Sequence, residues 1–372
     1  MKVSVNQKIF FGLVLLAGVA ACSTRRPYSP PEGAVPLLTW LGEWTRPYGT
    51  KFPQLDGSLR FGGISGLAHD NSTGRWIGVV DDRDRSRVVW LDVVFRDKGL
   101  EITPLRMQEL RAAPDVAEAT VTRSDLEAIV SLPDGTFVLT EEGHRIAEPP
   151  GEWPPALLHM NREGVITSVT GFPKEFQLSA DGVTGLRDNQ GFESLAVTPR
   201  QHLIAGLEQP LLQDGNVTFD RGAAGRLVEF EPARPGYRYA RQWRYMISPT
   251  PRIEGFDDIC NDGENGLVEL LALSDTHLIA MERACLITRD KQFIANAIQL
   301  FSVELVAGDA RKRLLLDFNQ VQPRLSPALS RLENFEGMTF GPLVDGRRTL
   351  LVVSDDNFRE TQKTSFLLFG MR

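Results

Sequence analysis

Five copies of one hairpin limit what this chain can fold into. The clearest copy runs Asp125-Leu-Glu-Ala-Ile-Val-Ser-Leu-Pro-Asp-Gly-Thr-Phe-Val-Leu-Thr-Glu-Glu142. Two apolar-rich runs of strand character flank Pro133-Asp134-Gly135, where proline presets φ and glycine accepts the left-handed position. In an antiparallel hairpin the start of one strand lies beside the end of the next. Glu127 and Glu141/Glu142 are therefore expected at one edge of the sheet. The other copies span Ser65–Asp82, Glu193–Glu208, Glu269–Glu282 and Glu336–Asp356, and their starting positions step by 62, 66, 76 and 67 residues.

Further strand-like runs follow each hairpin, such as Arg87–Phe95 with Leu100–Leu110 and Gln299–Val306 with Arg313–Phe318. Four antiparallel strands per repeat make the blade of a β-propeller, so the fold expected is all-β. Counting motifs gives five blades, and length alone allows six. The chain closes on Ser365–Phe369, a third strand without a fourth, which Leu37–Trp44 could supply. Joining both ends in one blade removes an exposed sheet edge. Blades commonly take about 40–50 residues, so long connections are expected, with insertions at Gln177–Gln190 and Ser248–Asn265. The segment Arg106–Glu118 is the best candidate for a short helix.

With 372 residues, 42% of them apolar and 24% charged, the chain can bury a large core. The start does not belong to that core. Lys2 and Lys8, the apolar run Ile9–Val19 and Val19-Ala-Ala-Cys22 resemble a bacterial lipoprotein signal, cut before Cys22 with lipid on that thiol. The expected organisation is a leader over 1–21, a lipidated tether over 22–35 and one domain over 36–372. Ser23 favours the outer membrane, facing the periplasm, with the lipid as the only membrane contact. Without the leader the chain keeps 39 basic and 48 acidic residues, a net −9. That balance argues against nucleic acid and suits cation binding. A monomer is expected. Cys260 and Cys285 remain, and an oxidising compartment invites a disulfide between them, two separate thiols being the alternative.

Blade geometry turns the recurring acids into two rings. Glu127, Glu193, Glu269 and Glu336, with Ser65 as the neutral member, form the first. Asp81/Asp82, Glu141/Glu142, Glu208, Glu282 and Asp355/Asp356 form the second. Crowded carboxylates need compensation, either from a hard cation such as Ca²⁺ with its six to eight oxygens or from Arg83, Arg85, Arg145, Arg283 and Arg359 nearby. Metal beside arginine is the pairing phosphate esters require. The metal ligands expected are Asp82, Glu142, Glu208, Glu282, Asp355 and Asp356. Glu127, Glu193, Glu269 and Glu336 then act on a small anionic ester that Arg145, Arg283 and Arg359 position. The alternative makes the same acids and arginines structural staples of a non-catalytic envelope protein. The five histidines form no metal-type pair, and no nucleophile elbow, phosphate loop or dinucleotide fingerprint occurs. Asp257–Glu264 is acidic but lacks EF-hand spacing; it reads as a plain turn or as a source of extra ligands.

Gly-Ile-Ser-Gly-Leu at 63–67, Asp-Leu-Glu-Ala-Ile at 125–129, Gly-Phe-Glu-Ser-Leu at 191–195, Met-Glu-Arg at 281–283, Asn-Phe-Glu-Gly-Met at 334–338 and Ser-Asp-Asp-Asn at 354–357 together resemble the phytase-like family described as esterase-like activity of phytase. The resemblance covers roughly residues 60–370. It implies a propeller and hydrolysis of phosphate or other esters, with calcium by analogy to propeller phytases. A lactonase-like metal propeller is a third class, which would hydrolyse lactones instead.

Overall fold

The computed structural model describes residues 36–96, 99–148, 150–234, 236–252, 260–288, 293–329 and 331–372. The expected leader, tether and Cys22, together with Asp257 and Asp258, lie outside the described residues.

Among the described residues, alternating apolar runs become five units of four antiparallel strands. The third and fourth join edge to edge, through a short parallel pairing of Arg244–Tyr245 with Asp309–Ala310, into one eight-stranded sheet. Unit I holds Ile64–Asp70, Arg75–Val80, Arg87–Arg96 and Gly99–Glu109, and unit II holds Leu126–Ser131, Phe137–Glu141, Ala156–Met160 and Val165–Gly171. Unit III is Phe192–Val197, Leu203–Leu207, Ala223–Pro232 and Tyr237–Ile247; unit IV is Cys260–Ala272, His277–Thr288, Phe293–Val306 and Asp309–Asp317. Unit V joins Asn334–Phe340, Thr349–Asp355 and Lys363–Met371 to the early strand Leu38–Pro47. The turn at 133–135 forms as expected, with Gly135 at φ 83° and the Gly135 N–H donating to the Leu132 carbonyl at 3.0 Å.

The hydrophobic core is divided among the unit junctions. Ile77 and Val88 of unit I pack with Ile129 and Phe137 of unit II, and Val130 and Leu157 of unit II with Leu203 and Phe230 of unit III. Ile204 and Leu227 meet Leu270 and Phe301, and Ile279 and Ile298 meet Phe335 and Val352. Leu351 and Phe366 of unit V then pack with Ile64 and Val89 of unit I. The first strands likewise touch in sequence: unit I against II, II against III, III against IV, IV against V, and V against I.

Two expectations fail here. Arg106 lies in a strand, paired with Trp90, and Arg111–Ala112 pairs with Val165–Ile166, because Leu100 and Ile102 are buried while Glu101 between them is exposed, a period of two. The Cys260–Cys285 bridge does not form: Cys285 is a free thiol, and the side chain of Cys260 lies outside the described residues. The ladder sets Cys260 across from Thr288 and Cys285 across from Glu264. Four residues of strand separate Glu264 from Cys260, about 13 Å and too far for a disulfide. Among the described residues no helix is long and apolar enough to cross a membrane.

Candidate functional site

Each first strand carries a β-bulge at the same place. The register shifts between Ile64 and Gly66, Leu126 and Ile129, Phe192 and Ser194, Leu267 and Glu269, and Phe335 and Gly337. A bulge adds one residue and re-aims the side chain there. Aligning the ladders beyond the bulges (Leu67 with Gly78, Leu195 with Ala205, Leu270 with Ala280, Met338 with Val352) puts Ser65, Glu127, Glu193, Val268 and Glu336 in equivalent positions. Unit IV thus contributes valine where three other units contribute glutamate. Glu269 falls at the next position, that of Gly66, Ala128, Ser194 and Gly337. First strands crowd together there: a Cβ on Gly66 would lie 2.5 Å from the Glu127 carbonyl oxygen, and one on Gly337 2.8 Å from that of Ser65.

The ends of the second strands obey the same register. Ile64 pairs with Val80, Leu126 with Glu141, Phe192 with Leu207, Leu267 with Glu282 and Phe335 with Ser354. The residues that follow are Asp81, Glu142, Glu208, Arg283 and Asp355. Unit IV therefore breaks both rings, with Val268 in one and Arg283 in the other.

Of these side chains, Glu127, Glu193, Glu336, Asp81, Glu208, Arg283 and Asp355 line a cavity of about 460 Å³. Among the described residues its wall holds eight carboxylates, from Asp81, Asp125, Glu127, Glu193, Glu208, Glu264, Glu336 and Asp355, against four guanidinium groups, from Arg83, Arg283, Arg331 and Arg359. Acid is in excess. Amides complete the wall, including Asn189, Gln190, Asn296, Asn334 and Asn357, and Cys285 also reaches it. Two carboxylate triads stand out: Asp81, Asp125 and Glu127 offer oxygens within 4.8 Å of one another, and so do Glu142, Glu193 and Glu208.

Several expected ligands lie one residue out of phase, and a one-residue slip turns a side chain to the other face. Asp82 pairs with the buried Arg87 and accepts the Asp84 and Arg85 N–H groups at 3.2 Å. Glu282 accepts from Tyr245 Oη at 2.8 Å, Ser248 N at 3.1 Å and Asn265 Nδ2 at 3.1 Å, and pairs with Lys312. Asp356 accepts from Gly63 N at 3.0 Å, Phe358 N at 3.1 Å and Thr364 Oγ1 at 2.8 Å. All three are engaged in the scaffold. Glu269 is buried on backbone N–H groups, and Arg145 is committed to Glu152 at 2.9 Å and the Ser179 carbonyl at 3.0 Å; neither lines the cavity. Glu127, Glu193, Glu336, Glu208, Asp355, Arg283 and Arg359 do line it. Glu142 sits buried, its Oε1 accepting Gly191 N at 3.0 Å.

Asp125, Arg331 and the amides are the site residues that the acid pattern does not select; Asp81 and Arg83 stand in the expected second ring and among its arginines, and Glu264 closes the segment read as a plain turn or a source of extra ligands. Asp125 opens the quoted hairpin, two residues before Glu127, and that spacing was its available signal. Behind it, Glu141 Oε2 accepts the Asp125 N–H at 3.0 Å while Oε1 meets Nδ1 of the buried His144 at 3.0 Å. His144 stacks on Trp153 at 5.1 Å.

Burial and crowding act in one direction on these acids. Burial pushes Glu127 up, helped by Glu193, Asp81 and Asp125, and pushes Glu142 up with Asp125 and Glu127. Asp81 and Asp355 rise by burial and by neighbouring acids. Glu208 is raised to about 7 by burial, with Arg283 opposing. Ionising the group requires positive charge. The donors are all oxygen, and glycines give them room: a Cβ on Gly266 would lie 2.6 Å from Glu208 Cγ, and one on Gly191 would overlap the Glu142 carbonyl oxygen. This donor set fits a hard divalent cation better than zinc, which prefers nitrogen and sulfur.

Residues 59–358 match the phytase-like family described as esterase-like activity of phytase. The chain belongs to that family. No curated protein matches it. Among solved structures, the phytase-like chain is similar to an endo-arabinase from Bacteroides thetaiotaomicron, at 11% identity over 85% of this chain and 95% of that one, with a TM-score of 0.44. It is also similar to the catalytic domain of an α-L-arabinofuranosidase from Coprinopsis cinerea (11% identity, 90% and 98% covered, TM-score 0.41). A gluconolactonase from Xanthomonas campestris gives 10% identity, 90% and 97% covered and a TM-score of 0.35. No chemistry is carried across at such distances.

Proposed function

We propose that this phytase-like chain is a calcium-dependent hydrolase of phosphate or other esters. We read its five units as the blades of one closed five-bladed ring, exported and held by lipid on Cys22 at the outer membrane, facing the periplasm. One observation carries the functional reading: among the described residues, five of the six acids of the two carboxylate triads line one cavity with four arginines, while the sixth, Glu142, lies buried beside Glu193 and Glu208. Acids alone would suit a cation store and arginines alone an anion site, but an ester phosphate needs both.

Asp81, Asp125 and Glu127 would hold one cation, and Glu142, Glu193 and Glu208 a second. Bound calcium supplies Lewis acidity toward an ester oxygen and lowers the pKa of a bound water. Glu127, Glu193 and Glu336, at the bulges, face the same space and would orient that water. Arg283, Arg331 and Arg359 would take the substrate's negative charge. The blade-staple reading holds at Asp82, Glu269, Glu282 and Asp356, whose partners all lie in the scaffold.

The test uses the soluble body without its leader, assayed for phosphatase and for esterase activity in calcium and in chelator. Glu193→Gln and Asp125→Asn are expected to lose activity by two orders of magnitude or more while melting normally. Equal turnover in chelator and in both variants would remove this reading.

A further inference from the structure

Each carboxylate triad already has a cation supplied by the chain. Arg83 grips Asp125 of the first triad with two bonds, Nε to Oδ1 at 2.7 Å and its terminal nitrogen to Oδ2. The same nitrogen donates to Asn189 Oδ1. Arg283, in the acid position of unit IV, bonds Glu336 at 2.9 Å and approaches Glu208 of the second triad at 3.6 Å. Its Nε is buried with no hydrogen-bond partner among the described residues.

A guanidinium and a calcium ion draw on the same lone pairs. Calcium takes six to eight oxygens, so filling the first triad uses Asp125 oxygens that now accept from Arg83, and filling the second uses the Glu208 oxygen that Arg283 approaches. It also places a double positive charge within a few ångströms of a guanidinium. Arginine does not relieve that repulsion by losing its proton; it must move. Asp125 and Glu208 are fixed to first- and second-strand ends, whereas each arginine is on a long side chain already facing the cavity. Once turned from the triads, each offers a planar fork that fits a phosphoryl group.

We infer that Arg83 and Arg283 are resident counter-ions that calcium displaces, and that their displacement builds the anion site. Cation and anion then bind with mutual reinforcement, by the same factor in either order. The inference rests on the calcium reading above.

Calorimetric titration of the whole soluble body tests it, with calcium chloride as cation probe. Sulfate serves as anion probe, a tetrahedral dianion that stays soluble with millimolar calcium. In the wild type, sulfate is expected to bind about tenfold more tightly with calcium present. Arg83→Gln and Arg283→Gln are expected to bind calcium about tenfold more tightly than wild type, sulfate more weakly, and to lose most of the coupling. Opposite signs for the two ligands are the signature, since a merely structural arginine would weaken both or neither. Should Arg283→Gln fail to fold, Arg83→Gln and Arg83→Lys decide, because the Arg83 side chain is 36% exposed. Wild type binding no calcium overturns the calcium reading and this inference together. Wild type binding calcium while the Arg83 variants bind it no more tightly overturns the displacement alone.

Discussion

The carboxylate of Glu269 accepts the backbone N–H of Leu195 at 3.3 Å, across the junction between units III and IV. It also accepts its neighbour Leu270 N at 2.9 Å, and the Met338 N–H of unit V faces it as well. One side chain thus links three first strands where the other units have only Gly66, Ala128, Ser194 and Gly337. Leaving these buried donors unpaired costs about 1–3 kcal/mol for each group. Glu269→Ala should therefore lower stability by roughly 2–5 kcal/mol, whereas Glu269→Gln, which keeps an acceptor oxygen, should lower it far less. Calcium affinity should be unchanged in both. Chemical denaturation paired with calorimetry checks this; a Glu269→Ala protein of normal stability with weakened calcium binding would return Glu269 to the site.

Why the amino-acid sequence places Glu269 wrongly is a matter of phase. The repeat itself is legible, because Pro-Asp-Gly and its relatives mark turns and alternating apolar runs mark strands. The joining of Leu38–Pro47 to Lys363–Met371 is legible too, since a three-stranded ending needs a partner. A bulge is different: it is one residue of extra backbone with no composition of its own. Matching the copies by their acids sets Glu269 beside Glu193, while the ladder sets Val268 there. The same slip selects Asp82 instead of Asp81 and Glu282 instead of Arg283. Doubled acids such as Asp81-Asp82 and Asp355-Asp356 cannot show which member faces the cavity. Asn189 is found only through the fold, since 106 residues separate it from Arg83, from which it accepts.

Asp81 and Asp82 provide a direct test of that phase. Asp81 belongs to a triad with Asp125 and Glu127, and Asp82 pairs with Arg87, which is 1% exposed. Asp81→Asn should weaken calcium binding by about tenfold to a hundredfold and change the melting temperature little in chelator. Asp82→Asn should do the reverse, leaving a buried guanidinium without its counter-charge at roughly 3 kcal/mol or more. Titration calorimetry and thermal melting on both variants separate the two roles; matching profiles would show that the register does not govern the site.

The cation-free protein should become less stable as pH rises. Burial lifts Glu208 and Glu141 from an ordinary 4.5 to about 7, and Glu127, Glu142 and Glu193 are lifted in the same direction. A carboxyl whose folded pKa exceeds its unfolded one stabilises the fold in full below the unfolded value. That contribution is lost as pH climbs through the folded value. The loss therefore begins near 4.5 and continues through about 7 for Glu208 and Glu141, and the other raised acids add to it in the same direction. Calcium binds the ionised carboxylates, so its stabilising effect grows across the same interval. In chelator, the melting temperature should fall between about pH 5 and about pH 8, and added calcium should raise it by several degrees at the upper pH but little at the lower. Thermal melts at both pH values, with and without calcium, are sufficient. A melting temperature that climbs with pH in chelator would mean that Arg83 and Arg283 alone hold these acids ionised, and that the cavity has no unmet demand for a metal.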